Sequence, residues 1–95
     1  MAKTYNVLGV AYKQIRKISD EAKGADGECN FTDKTIGICP DADDVLTVEL
    51  HELIHAKDFE SGLYQVFDRT MLEVNAETTA RVILANYNLS PKKKK

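Results

Sequence analysis

The residues of this chain best suited to chemistry are His51 and His55, held four apart in His51-Glu52-Leu53-Ile54-His55. On a helix that spacing sets both imidazoles on one face, one turn apart. Two nitrogen donors so placed can share one zinc ion. Glu52 beside them can reach a water on the same ion. The chemistry is metal-assisted hydrolysis, most simply of a peptide bond, with zinc as cofactor and Glu52 as general base. Plainer readings exist: two surface histidines, and a glutamate that only adds charge to a helix.

A catalytic zinc site needs a third protein donor beside the water. The chain has no other histidine, so the donor is a carboxylate or, as a weaker option, Cys39. Asp58 and Glu60 follow His55 too closely on the same helix to wrap round to the ion. Glu73 and Glu77 come 18 and 22 residues after His55, far enough for a second helix to fold back. Glu77 is the preferred ligand, because its neighbours Ala76 and Ala80 let two helices approach closely. Glu73 is the alternative, or else an acceptor for the outer N–H of a ligand histidine. Tyr64, Tyr87 and Arg81 are candidates to stabilise an oxyanion. The tyrosines could equally be packing residues, and Arg81 could pair with Glu77 at i,i+4.

The elements that must position these groups follow from patterning. Residues 4 to 18 are rich in β-branched and aromatic side chains and read as two short strands about Gly9, with a helix over 10 to 18 as the alternative. Residues 19 to 28 carry loop signals. Cys29-Asn30-Phe31 and Ile36-Gly37-Ile38-Cys39 read as a hairpin. A two-residue turn at Asp33-Lys34 would pair Phe31 with Ile36 and Cys29 with Ile38, which argues against a Cys29–Cys39 disulfide. A longer loop would leave that open. After Pro40, the acids Asp41, Asp43 and Asp44 are N-cap candidates for a helix from about 42 to 60, with Leu46, Leu50, Leu53 and Ile54 as its apolar stripe and Ser61-Gly62 as its stop. Asp68 can cap a second helix over about 69 to 88, with Leu72, Ala76, Ala80, Ile83 and Tyr87 on its inner face. Strands followed by helices give an α+β domain over residues 1–89, with 90–95 as a disordered lysine-rich tail.

At 95 residues one domain is expected, and 43% hydrophobic with 29% charged residues is ordinary for a soluble protein. Four of the thirteen basic residues are Lys92 to Lys95, which leaves nine against fifteen acidic groups, a balance of -6. An acidic body argues against nucleic acid as a partner. No apolar run is long enough for a membrane span, and no signal peptide is evident, so a cytoplasmic monomer acting on a peptide or protein is expected. The two cysteines form no CxxC pair and would be free thiols there.

Residues 51 to 63, His-Glu-Leu-Ile-His-Ala-Lys-Asp-Phe-Glu-Ser-Gly-Leu, resemble the zinc helix of small gluzincin-like proteins encoded by phages and prophages, distant relatives of the ImmA/IrrE-type metallopeptidases. Val7-Leu8-Gly9-Val10-Ala11-Tyr12 is similar to the sheet segment that precedes HExxH in such chains, and Asn75-Ala76-Glu77 to the later segment carrying the ligand glutamate. The resemblance spans residues 5 to about 85. It implies a minimal zincin-like fold: a short N-terminal antiparallel sheet, the HExxH helix, and a C-terminal helix with the third ligand. It also implies metallopeptidase activity in a host cytoplasm, and an exposed strand, such as the one ending at Cys39, that holds an extended peptide. Related helices often carry a further acid three or four positions after the ligand glutamate, where this chain has Ala80 and Arg81. That departure, with the small size, keeps a second expectation: a zincin-shaped binding protein that tethers or inhibits a host protein without turnover.

Overall fold

The computed structural model describes residues 3–16, 26–40, 42 and 44–87. Residues 19 to 25 of the loop expected over 19 to 28, the caps at Asp41 and Asp43, and the tail over 90 to 95 lie outside these residues. Strands β1 (Thr4–Val7), β2 (Val10–Arg16), β3 (Gly27–Asn30) and β4 (Thr35–Ile38) precede helices α1 (Val45–Glu60) and α2 (Arg69–Tyr87). The class is α+β, with one four-stranded sheet and two helices.

The sheet order is β1-β2-β4-β3. The first hairpin turns at Leu8-Gly9, whose φ values of 53° and 89° are those of a type I′ turn, the tight turn that matches strand twist. The sheet is mixed rather than antiparallel, because β2 and β4 run parallel, with Ile15 opposite Gly37. Strand β3 then returns antiparallel to β4 and forms the edge. Its start at Gly27 places Gly27 and Glu28 in strand, where composition suggested loop.

The second hairpin also departs from the expected register. Cys29 lies opposite Ile36, not Ile38, and the loop spans residues 31 to 34. The cause is Asn30. Its Oδ1 accepts from the backbone N–H groups of Thr32 at 3.0 Å and Asp33 at 2.9 Å, which starts the turn two residues early. A shift of two keeps each side chain on its face, but it moves Phe31 out of the ladder. Cys39 hydrogen-bonds across to Asp26 at 2.8 Å. The two cysteines are therefore not opposite, and no disulfide joins them.

Helix α1 starts where Asp44 caps it, accepting from the Thr47 N–H at 3.1 Å, and stops at Ser61 before Gly62 in the left-handed region. One side of α1 packs on the sheet, where Ala56, Val48 and Leu53 meet Val7, Tyr12, Ile36 and Ile38. The other side meets α2, where Ile54 and Leu50 meet Ala76 and Ala80. The layers are sheet, α1, α2. A central helix covered twice must bury polar positions along with its apolar stripe, and Glu49, Glu52, His55 and Asp58 are all buried. Burial of such groups requires partners. Glu49 accepts from Lys3 at 2.7 Å and from the Tyr5 hydroxyl. Asp58 Oδ2 accepts from Asn75 at 3.4 Å, while Oδ1 faces the Lys57 ammonium at 2.5 Å as an ion pair without a hydrogen bond. Glu60, at the helix end, ties Tyr12 and Lys34, each at 2.7 Å.

A 3₁₀ turn, Leu63–Gln65, connects the helices, and Asp68 caps α2 by accepting from the Met71 N–H at 2.9 Å. Leu72, Ala76 and Ala80 form the buried face of α2 as expected, but Tyr87 does not join them and is 69% exposed. Among the described residues no helix is long and apolar enough to cross a membrane.

Candidate metal centre

Helix α1 presents His51 and His55 one turn apart toward α2, and α2 presents Glu73 to both. The two Nε2 atoms are 3.1 Å apart, and each lies 3.2 Å from Glu73 Oε1. This is a near-equilateral triangle of two nitrogens and one oxygen. Ligands held about 2.0–2.1 Å from a tetrahedral zinc are separated by about 3.3 Å, so the triangle has the size that three zinc ligands need. The donor set also fits: two imidazoles, each with its Nε2 turned inward, and one carboxylate.

The outer nitrogens are engaged as ligand histidines require. His55 Nδ1 lies 3.0 Å from the Tyr64 hydroxyl, and His51 Nδ1 lies 3.3 Å from Glu77 Oε1. Tyr64 is wedged edge-on against Phe31 and Phe59, which stack on each other with ring centres 4.2 Å apart. The Phe31 that the Asn30 turn ejects from the ladder thus steadies the tyrosine that meets His55.

The two glutamates exchange the places expected of them. Glu73 joins the histidine pair, while Glu77 sits behind His51. The reason is Arg81, whose Nε donates to Glu77 Oε2 at 2.8 Å and draws that carboxylate outward. The guanidinium also holds the Glu77 carboxyl below its ordinary pKa, with a smaller contribution from His51.

Glu52 lies on the sheet side of the pair, buried beneath β3. Gly27 allows this. A Cβ there would stand 2.5 Å from Val48 Cγ1 and 3.0 Å from Glu52 Cγ. Burial pushes the Glu52 carboxyl up to about 7; His51 opposes this, and nearby Glu73 and Glu28 add to it. Burial likewise lowers the pKa of His55, against the pull of Glu73.

These groups line a cleft of about 1050 Å³ between β3, α1 and the start of α2. Of the three oxyanion candidates only Tyr64 lines it, and its hydroxyl is already against His55. Burial pushes that phenol up to about 12, so it stays protonated. Arg81 is turned to Glu77, and Tyr87 stands exposed on the last turn of α2. Sequence reading passed over Gly27, Phe31 and Arg69, all of which line the cleft. The hairpin loop signal could have flagged Phe31, whereas nothing in the local sequence distinguishes Gly27 from a loop glycine. Comparison with protein-family models, with curated proteins and with solved structures finds no match for this chain.

Proposed function

We propose that the chain is a minimal zincin-like metallopeptidase of the gluzincin type. The observation that carries this reading is the triangle of His51, His55 and Glu73 with Glu52 buried beside it. His51, His55 and Glu73 would hold a zinc ion, which when bound polarises a carbonyl and lowers the pKa of a water at its open position. Glu52 takes the proton from the water that attacks the scissile carbonyl carbon. It hands that proton to the amine nitrogen as the carbon–nitrogen bond breaks. Tyr64 and Glu77 keep each imidazole turned with Nε2 inward. Among the described strands the one at the sheet edge beside the cleft is β3, and an edge strand can take an extended peptide as a further strand. That role falls to β3 and not to the strand ending at Cys39, because β4 is interior to the sheet.

A second reading is supported by a specific observation. The phenol and guanidinium proposed for the oxyanion are committed, Tyr64 to His55 and Arg81 to Glu77. A zincin-shaped protein without turnover, binding a protein partner through the cleft, fits that arrangement. The experiment that separates the two is metal analysis followed by peptide hydrolysis with wild type and Glu52→Gln. About one zinc per chain with hydrolysis lost in Glu52→Gln supports the peptidase. Zinc bound with no hydrolysis by either protein supports the binding module, and no zinc uptake overturns both.

A further inference from the structure

Arg69 is the one arginine or lysine among the described residues that line the cleft. The other charged side chains there, the histidines aside, are carboxylates. Arg69 opens α2 and is exposed, and its side chain has no hydrogen bond or ion pair with the described residues. The acids that could take it are engaged. Asp68 Oδ1 accepts from the Met71 N–H at 2.9 Å. Glu73 stands at the i,i+4 spacing at which a helix pairs opposite charges, but its Oε1 faces both histidines, 3.2 Å from each Nε2.

The place of Arg69 relative to the triangle follows from the helix. Four residues separate it from Glu73, about 6 Å along the axis and about 40° round it, so both side chains leave α2 on one face. Glu77 lies behind His51, and Glu73 meets both histidines. Continuing in that direction leads past His55 to Arg69, at the end of the cleft lined by Tyr64 and by Phe67, which is 41% exposed. An extended peptide advances about 3.3 Å per residue. Arg69 therefore stands within about two residues of a bond held at the triangle.

We propose that Arg69 is a specificity-determining residue that binds a carboxylate of the peptide, one or two residues from the scissile bond. A guanidinium takes a carboxylate through two parallel N–H···O bonds. Acids elsewhere in the cleft repel that group, so it is accepted in one register only. Phe67 beside it can cover an apolar side chain next to the carboxylate. The carboxylate is the chain terminus or the side chain of Asp or Glu; both present the same two oxygens. The inference takes its substrate from the peptidase reading, and its test is a binding measurement that needs no turnover.

Fluorescence anisotropy on Glu52→Gln with zinc supplied compares three peptides labelled at the N-terminus. They are Ala-Ala-Ala-Ala-Phe with a free C-terminus, its C-terminal amide, and the amide of Ala-Ala-Ala-Glu-Phe. The free acid or the Glu peptide should bind about 10- to 100-fold tighter than the plain amide, as expected for a charge-assisted hydrogen bond. Tighter binding of the free acid assigns the terminus; tighter binding of the Glu peptide assigns the side chain. Adding Arg69→Gln should abolish the difference, and Arg69→Lys should restore part of it. Arg69 is exposed, so circular dichroism should not change. Equal affinity for all three peptides, or binding too weak to measure, overturns the proposal. So does a difference that survives Arg69→Gln, since the metal alone would then hold the carboxylate. Cleavage by the wild type is scored separately. A preference that depends on Arg69, with none of the three peptides cleaved, sinks the peptidase reading and leaves carboxylate recognition standing.

Discussion

Replacing Gly27 by alanine tests how the site is assembled. The new Cβ would lie 2.5 Å from Val48 Cγ1, 3.0 Å from Glu52 Cγ and 3.1 Å from Glu52 Oε2. Carbon atoms settle at about 3.5–4.0 Å, so β3 and α1 must part by roughly 1 Å or Val48 must leave its rotamer. Overpacking of this kind costs about 1–3 kcal/mol. In a domain of this size each kcal/mol moves Tm by about 4–8 °C, so Gly27→Ala should melt about 5–20 °C lower. The displacement also falls on Glu52 and not on His51 or His55. Zinc uptake should persist, while hydrolysis falls by a factor on the order of 100, as expected for a base moved by about 1 Å. Val48→Ala removes the closest clashing atom, so the alanine at 27 should cost distinctly less in that background. The assay is a double-mutant cycle read by thermal melting, with peptide hydrolysis beside it. Unchanged melting and hydrolysis in Gly27→Ala would refute the close-packing argument. So would a loss that is the same with and without Val48→Ala.

Other outcomes follow from the same geometry. Glu73→Ala should weaken zinc binding by more than about 100-fold and Glu77→Ala by only about 10-fold, since the latter orients His51 from behind; titration calorimetry with zinc reads both, and the reverse order would restore Glu77 as the ligand. Tyr64→Phe should lower zinc affinity about 10-fold and leave the melting temperature nearly unchanged, because the ring still fills the Phe31–Phe59 cluster; unaltered affinity would remove Tyr64 from the site. Burial pushes the Cys29 thiol up to about 12, with Glu52 and Glu60 adding to it. The folded pKa lies above the unfolded one, so this group costs no stability below pH 9 and progressively destabilises the fold as pH rises from 9 toward 12. Iodoacetamide at pH 8.5 should therefore modify Cys29 at least about 10-fold more slowly in the folded chain than in denaturant, and equal rates would contradict the raised thiol pKa.

Much of the frame was legible because local chemistry sets it. Gly9 marks the first turn, Asp44 and Asp68 cap the two helices, Gly62 ends the first, and the histidine spacing places both imidazoles on one face. The parallel pairing of β2 with β4 was not legible, since no local pattern separates it from an antiparallel meander. The hairpin register turned on one side chain, Asn30, bonding its own backbone in competition with the ladder. The third donor was narrowed to Glu73 and Glu77 and Glu77 was preferred, whereas it is Glu73 that stands against both histidines. The two glutamates share a helix face, and the choice depends on Arg81 drawing Glu77 away. Tyr87 matched the helical period of the inner face, but it falls on the last turn of α2 and stands exposed.

X-ray absorption at the zinc edge on metal-loaded protein tests the central claim most directly. His51, His55 and Glu73 with a water predict one zinc per chain in a shell of nitrogen and oxygen alone, at about 2.0–2.1 Å with imidazole scattering. Cys29 lines the same cleft, so the spectrum also reads the main competitor: a sulfur shell at about 2.3 Å, or no bound zinc, would contradict the account.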